Sequence, residues 1–145
     1  MEIQQLALVL TEQDLNALVQ KHLTDDLPVE QLEMRLSSAG LQVTGEFPLF
    51  VNVRFETAWE LGVRQGKVTC RLVHLKALGL PANVFRSMVV KFIAEAARKI
   101  DGLDCDNDVI IADLDRLAAR EGIQLQSNLR SIECQDGRIV ITASR

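Results

Sequence analysis

The sequence predicts an α+β fold: a long amphipathic helix wrapped by a strongly curved, mostly antiparallel β-sheet, with two short extra helices. Two stretches predict it. Residues 81–100, PANVFRSMVVKFIAEAARKI, carry two apolar ridges at i+4 spacing. One is Val84, Met88, Phe92, Ala96 and Ile100; the other is Phe85, Val89, Ile93 and Ala97. Adjacent ridges of this kind make one broad apolar helix face. Upstream, Leu49, Val51, Val53, Phe55, Thr57, Trp59, Leu61 and Val63 alternate with residues such as Asn52, Arg54, Glu56 and Glu60, the pattern of a half-buried strand. Extended, this stretch would span roughly 50 Å. The helix would be about 30 Å long. So long a strand must curl over the helix or break at a bulge.

The chain of 145 residues fits a single domain over residues 1–145. Its net charge of −4 supplies no basic field for nucleic acid. With 4% aromatic residues and no Tyr, stacking platforms for single strands are not expected either. Cys70, Cys105 and Cys134 are an odd number without CxxC spacing, which suits reduced thiols better than a disulfide framework, although one bridge with one free thiol stays open. No apolar run is long enough to span a membrane as a helix. The start, MEIQQLALVL, does not read as a signal peptide, so the expected compartment is the cytoplasm, or the cell envelope if a leader was removed.

In order, residues 3–10 read as a strand with Leu6, Leu8 and Leu10 on one side. Thr11 reads as the cap of a helix, and Asp14, in the Glu/Gln place of a capping box, as an acid suited to its first turn; the apolar face is Leu15, Leu18, Val19 and His22. Asp25, Asp26 and Pro28 break it. Leu32, Met34 and Leu36, then Leu41 and Val43, make a hairpin turning at Ala39-Gly40. Residues 64–67 turn the long strand into its return, residues 68–77. The parity of that strand slips from Val68, Cys70 and Leu72 to Val73, Leu75 and Ala77, which predicts a β-bulge. After the long helix, residues 101–108 read as an acidic loop and Val109-Ile110-Ile111 as a short apolar run. Asp113 caps a small helix ending at Gly122. Two strands close the chain, Ile123 to Cys134 with a slip and Arg138 to Ala143, joined by Asp136-Gly137, a hairpin-turn signal.

No catalytic constellation is visible. His22 and His74 lack nucleophiles or ligand spacing beside them. Ser87 and Ser127 lack a GxSxG setting, and Gly62, Gly66 and Gly79 form no phosphate loop. Asp104, Asp106 and Asp108 imitate the start of a calcium loop. Val109 stands where glycine is needed and Asp115 where a bidentate Glu is needed, so capping and solvation explain these acids better. No metal and no cofactor are expected, and no enzymatic activity. The helix face has two readings: an ordinary core ridge, or one wall of an elongated apolar slot under a gutter-shaped sheet.

The order of elements resembles the LmeA-like phospholipid-binding family of the tubular lipid-binding (TULIP-like) group. The matching pieces are LTEQDLNALVQKHL, LEMRLSSAGLQVTGEF, the long alternating hairpin, GLPANVFRSMVVKFIAEAARKI and DNDVIIADLDRLAAREGIQLQSNLRSIECQDGRIVITA. The resemblance implies a curled sheet about a long helix with lipid between them, held by Val84, Phe85, Met88, Val89, Phe92, Ile93 and Ala96 from the helix and by Leu49, Val51, Val53, Phe55 and Trp59 from the sheet. It brings no catalytic residues, and relatives are typically exported or membrane-attached. The expected function is therefore non-enzymatic binding of a lipid or another elongated apolar ligand, with peripheral membrane contact open. The alternative is a protein-interaction module with a filled core, working as a dimer or complex subunit through a sheet edge or apolar surface.

Overall fold

A computed structural model describes residues 5–22, 30–48, 52–77, 79, 81–99, 101–106, 108–120, 122 and 128–144. The chain is mostly β, with two antiparallel sheets, and this overturns the expected α+β architecture. The strands are β1 (Gln5–Thr11), β2 (Glu30–Ser37), β3 (Gly40–Pro48), β4 (Asn52–Arg64), β5 (Lys67–Ala77), β6 (Leu103–Asp106), β7 (Val109–Ala112), β8 (Asn128–Gln135) and β9 (Arg138–Ser144). The helices are α1 (Glu12–His22), α2 (Ala82–Arg98) and α3 (Leu114–Arg120). No sheet wraps α2; it lies against β5 and β6, on one side of the larger sheet. The wrapped-helix expectation failed because helical periodicity shows that a face is covered, not how far around the helix the cover extends.

The larger sheet has the order β2-β3-β4-β5-β7-β6 and the smaller β1-β9-β8. The alternation in β4 is as read: Val53, Phe55, Thr57 and Trp59 are buried, while Asn52, Arg54, Glu56 and Glu60 face solvent. The expected bulge sits in β5. Ala58 pairs with His74 but Trp59 pairs with Leu72, so Val73 is the extra residue and points to solvent rather than joining Leu75 and Ala77. A second register shift falls between Leu129 and Ser131. The acidic stretch expected to be loop contains β6, paired with β7. Residues 123–127, read as the start of the penultimate strand, lie outside the described residues.

The β2–β3 turn needs a glycine. Gly40 has φ +133°, and a Cβ there would collide with the carbonyl oxygen of Trp59 on β4. The sheets meet over an aliphatic core of Leu36, Val68, Leu129, Ile139, Ile141 and Ala143. Farther along the larger sheet, Phe47, Val53 and Phe55 pack with Phe85 and Val89 of α2. By position on β4, Thr57 and Trp59 lie between these two regions. Thr57 Oγ1 donates to the Val43 carbonyl (2.9 Å) and accepts from the Trp59 indole N–H (2.9 Å), so both buried polar groups are satisfied.

Candidate functional site

The residues expected to line a slot divide into four groups. Val53, Phe55, Phe85 and Val89 come together, joined by Phe47 from β3. The Phe47, Phe55 and Phe85 rings form a triangle with centroids 5.3, 5.8 and 6.0 Å apart, and Phe85 is 0% exposed. Tilted and edge contacts at these separations pack the first half of α2 against the sheet. Trp59 is buried outside that cluster. Val84 and Met88 are exposed, at 48% and 37%. The side chains of Phe92, Ile93 and Ala96, and residues Leu49 and Val51 altogether, lie outside the described residues. The sequence reading missed Phe47, although its parity in β3 follows Val43 and Gly45.

The broad face of α2 is therefore split. The Phe85–Val89 ridge is buried. On one flank Arg86 is tied to Asp108 (3.0 Å), whose carbonyl accepts the Leu72 N–H (3.1 Å). The opposite flank carries Val84 and Met88 into solvent. Beyond the helix end, Arg64, Lys67, Arg98, Lys99 and Arg116 line an open cleft with Asp101, Asp104 and Asp113. Arg98 and Lys99 suit the carbonyl end of α2, so these cations have a structural role there. The acids are likewise engaged. Asp113 Oδ1 accepts from the Asp115 and Arg116 amides, and Asp104 Oδ1 accepts from the Cys105 amide. Among the described residues no cluster of three or more His, Cys, Asp or Glu is arranged to hold a metal ion. No helix among them is long and apolar enough to cross a membrane.

The sheet edges form a second candidate site. At the β2 edge, side chains of α1 replace a neighbouring strand. The Met34 N–H donates to Asn16 Oδ1 (2.8 Å), and Asn16 Nδ2 donates to the Met34 carbonyl (3.0 Å). The Leu36 N–H donates to Glu12 Oε1 (2.7 Å), while the Leu36 carbonyl accepts from the Gly137 N–H (3.0 Å). The Ser38 N–H donates to Asp136 Oδ1 (3.3 Å). Every second residue from 34 to 38 is thus engaged. The α1 side chains are aimed by the expected Thr11 cap and by Asp14, which returns the bond to the Thr11 N–H and so completes a capping box. At β6 the edge is four residues long and bears Asp104 and Asp106, and β8 bears exposed Arg130 and Glu133; short and charged edges resist pairing.

The β1 edge has none of these defences among the described residues. QLALVLT is seven residues long and uncharged. Leu8 pairs with Ile141 and so shares its face, yet Leu8 is 53% exposed against 5% for Ile141. The face that is buried at β9 is thus open to solvent at Leu8 of β1. Val9, on the other face, is 47% exposed.

No family model matches the chain, and no solved structure matches it. Among curated proteins it is similar to proteins named "Chaperone SurA" from Burkholderia pseudomallei (strain 1710b) and Burkholderia mallei (strain ATCC 23344), each 34% identical over 105 residues. The match takes in 69% of this chain and 23% of each relative, so the chain corresponds to less than a quarter of their length.

Proposed function

We propose that the chain is a non-enzymatic protein-interaction module whose partner is an extended polypeptide segment pairing with β1. The observation that carries this reading is the contrast between edges: β2 tied down from Met34 to Ser38 and charged before that at Glu30 and Glu33, β6 short and acidic, β8 charged, β1 open and aliphatic. An exposed edge offers main-chain hydrogen bonds for affinity and alternate side chains for selectivity. The relatives' name, chaperone, supports a polypeptide as the partner. Three unpaired cysteines fit a reducing compartment. Titration of isotope-labelled protein with an uncharged heptapeptide of alternating valine and threonine tests the reading. Amide shifts and slowed exchange confined to β1 and its neighbours are expected; shifts elsewhere, or none from a monomeric protein, would sink it.

A lipid or other elongated apolar ligand is the second reading, favoured by the solvent-facing Val84 and Met88. Because the phenylalanine triangle packs the helix against the sheet, this ligand would lie along the outer flank of α2. Burying one such side chain completely contributes about 1.5–3 kcal/mol. Both start partly covered, so the pair falls short of the roughly 8 kcal/mol that a micromolar complex requires. Native mass spectrometry with solvent extraction of the purified protein distinguishes the readings: a lipid at defined stoichiometry would favour the second.

A further inference from the structure

We infer that the segment received by β1 is the β1 strand of a second copy of this chain, paired antiparallel about a two-fold axis at Leu8. This rests on the edge-pairing reading above and names its partner. The geometry comes from register. The Glu12 N–H donates to the Gly137 carbonyl, so at Glu12 the backbone points toward the β8–β9 turn. Backbone direction alternates along an antiparallel strand, so Leu10 and Leu8 also point to β9, while Thr11, Val9 and Ala7 point outward. The Thr11 N–H agrees with this: it donates to Asp14 Oδ2 rather than to β9. Among the described residues, no backbone partner meets the outward groups of Ala7 and Val9, nor those of Gln5, which has the same parity.

A second copy fits this pair. Centring the axis on Leu8 sets Ala7 opposite Val9 of the other copy, and Val9 opposite Ala7. Both pairs are then hydrogen-bonded, and a small side chain faces a larger one. Leu8 meets Leu8 at the closer, non-hydrogen-bonded position, where its side chain is exposed in the single copy. Because β1 has no charge, the symmetric pairing opposes no like charges. The interface is isologous and closes at two copies, joining two three-stranded sheets into one of six strands. Charged β8 and sealed β2 do not offer this self-match.

Sedimentation velocity over a concentration series from low micromolar to millimolar tests the pairing. A weak monomer–dimer equilibrium is expected, as suits a small interface. Val9→Pro removes an outward N–H that β9 does not use, so it should abolish the dimer while leaving the melting temperature nearly unchanged. Because Leu8 alone faces its own counterpart, Leu8→Cys should form a covalent dimer under mild oxidation, whereas Thr11→Cys, set opposite Gln5, should not. The Cys test stands even where Val9→Pro disturbs folding. A dimer that survives Val9→Pro, or one in which Leu8→Cys fails to cross-link, would overturn the proposal. A monomer at all concentrations whose β1 amides still respond to the heptapeptide overturns the dimer but leaves the interaction module. A monomer with no response overturns both.

Discussion

Between the two sheets, Leu36, Val68, Leu129, Ile139, Ile141 and Ala143 come from β2, β5, β8 and β9, and ten partly buried apolar residues pack around them. Beneath α2, Phe47, Val53 and Phe55 come from one hairpin, and the helix closes over them with Phe85 and Val89. The first region is aliphatic and drawn from many elements. The second is aromatic and depends on one ridge of one helix. Shared support should make the first region tolerant of single losses and the second sensitive at Phe85, its most deeply buried member.

Phe85→Ala should have the largest effect, about 3–5 kcal/mol, because it removes the ring that closes the triangle. Helical and tryptophan signals followed in urea should show α2 releasing before the sheets unfold; one coincident transition would mean the regions are a single unit. A smaller effect is expected for Asn16→Ala, which leaves both polar groups of Met34 without their partner. A buried group so orphaned costs about 1–3 kcal/mol, and the half-buried setting points to the lower part of that range. Light scattering should also rise with concentration as the β2 edge opens. At neutral pH the smallest effect is that of a thiol in the inter-sheet region, which shows only as the pH rises. Burial first, and then the neighbouring Cys134, push the Cys70 thiol up to about 12. A raised thiol pKa favours the neutral folded form. Stability from this group is therefore complete below the unfolded thiol pKa and declines above it, by at most about 1.4 kcal/mol per pH unit. Chemical denaturation between neutral and strongly alkaline pH should show a slope that Cys70→Ala removes. An unchanged slope would show that the thiol is not shielded between the sheets.

Much of the local structure was legible. The alternation of β4 fixed which residues turn inward, Thr11 and Asp14 announced α1, Asp136-Gly137 marked its hairpin, and the parity slip located the bulge to within a residue. The architecture was not legible. Ridges in α2 show that it covers something, but Val84 and Met88 have the same spacing and chemistry as Phe85 and Val89 and end in solvent. The difference appears only in the packing, where β5 and β6 lie against the helix and Arg86 pairs with Asp108 on one flank. The sealing of β2 was equally hidden. Nothing in the residues around Asn16 points to Met34, 18 positions away, because that bond depends on how α1 is laid along the edge.

The pairing of Gln5 with Ser144 joins strands far apart in sequence. The β8–β9 hairpin is local and can form quickly, but β1 must close a loop of nearly the whole chain to reach it. Such closure costs little extra stability, since its entropy grows only logarithmically with length, and it weighs instead on the folding rate. During synthesis β1 emerges well ahead of β9 and waits for it. QLALVLT, uncharged and free of proline, is then exposed on both edges, and this interval is when the chain is most open to misassembly.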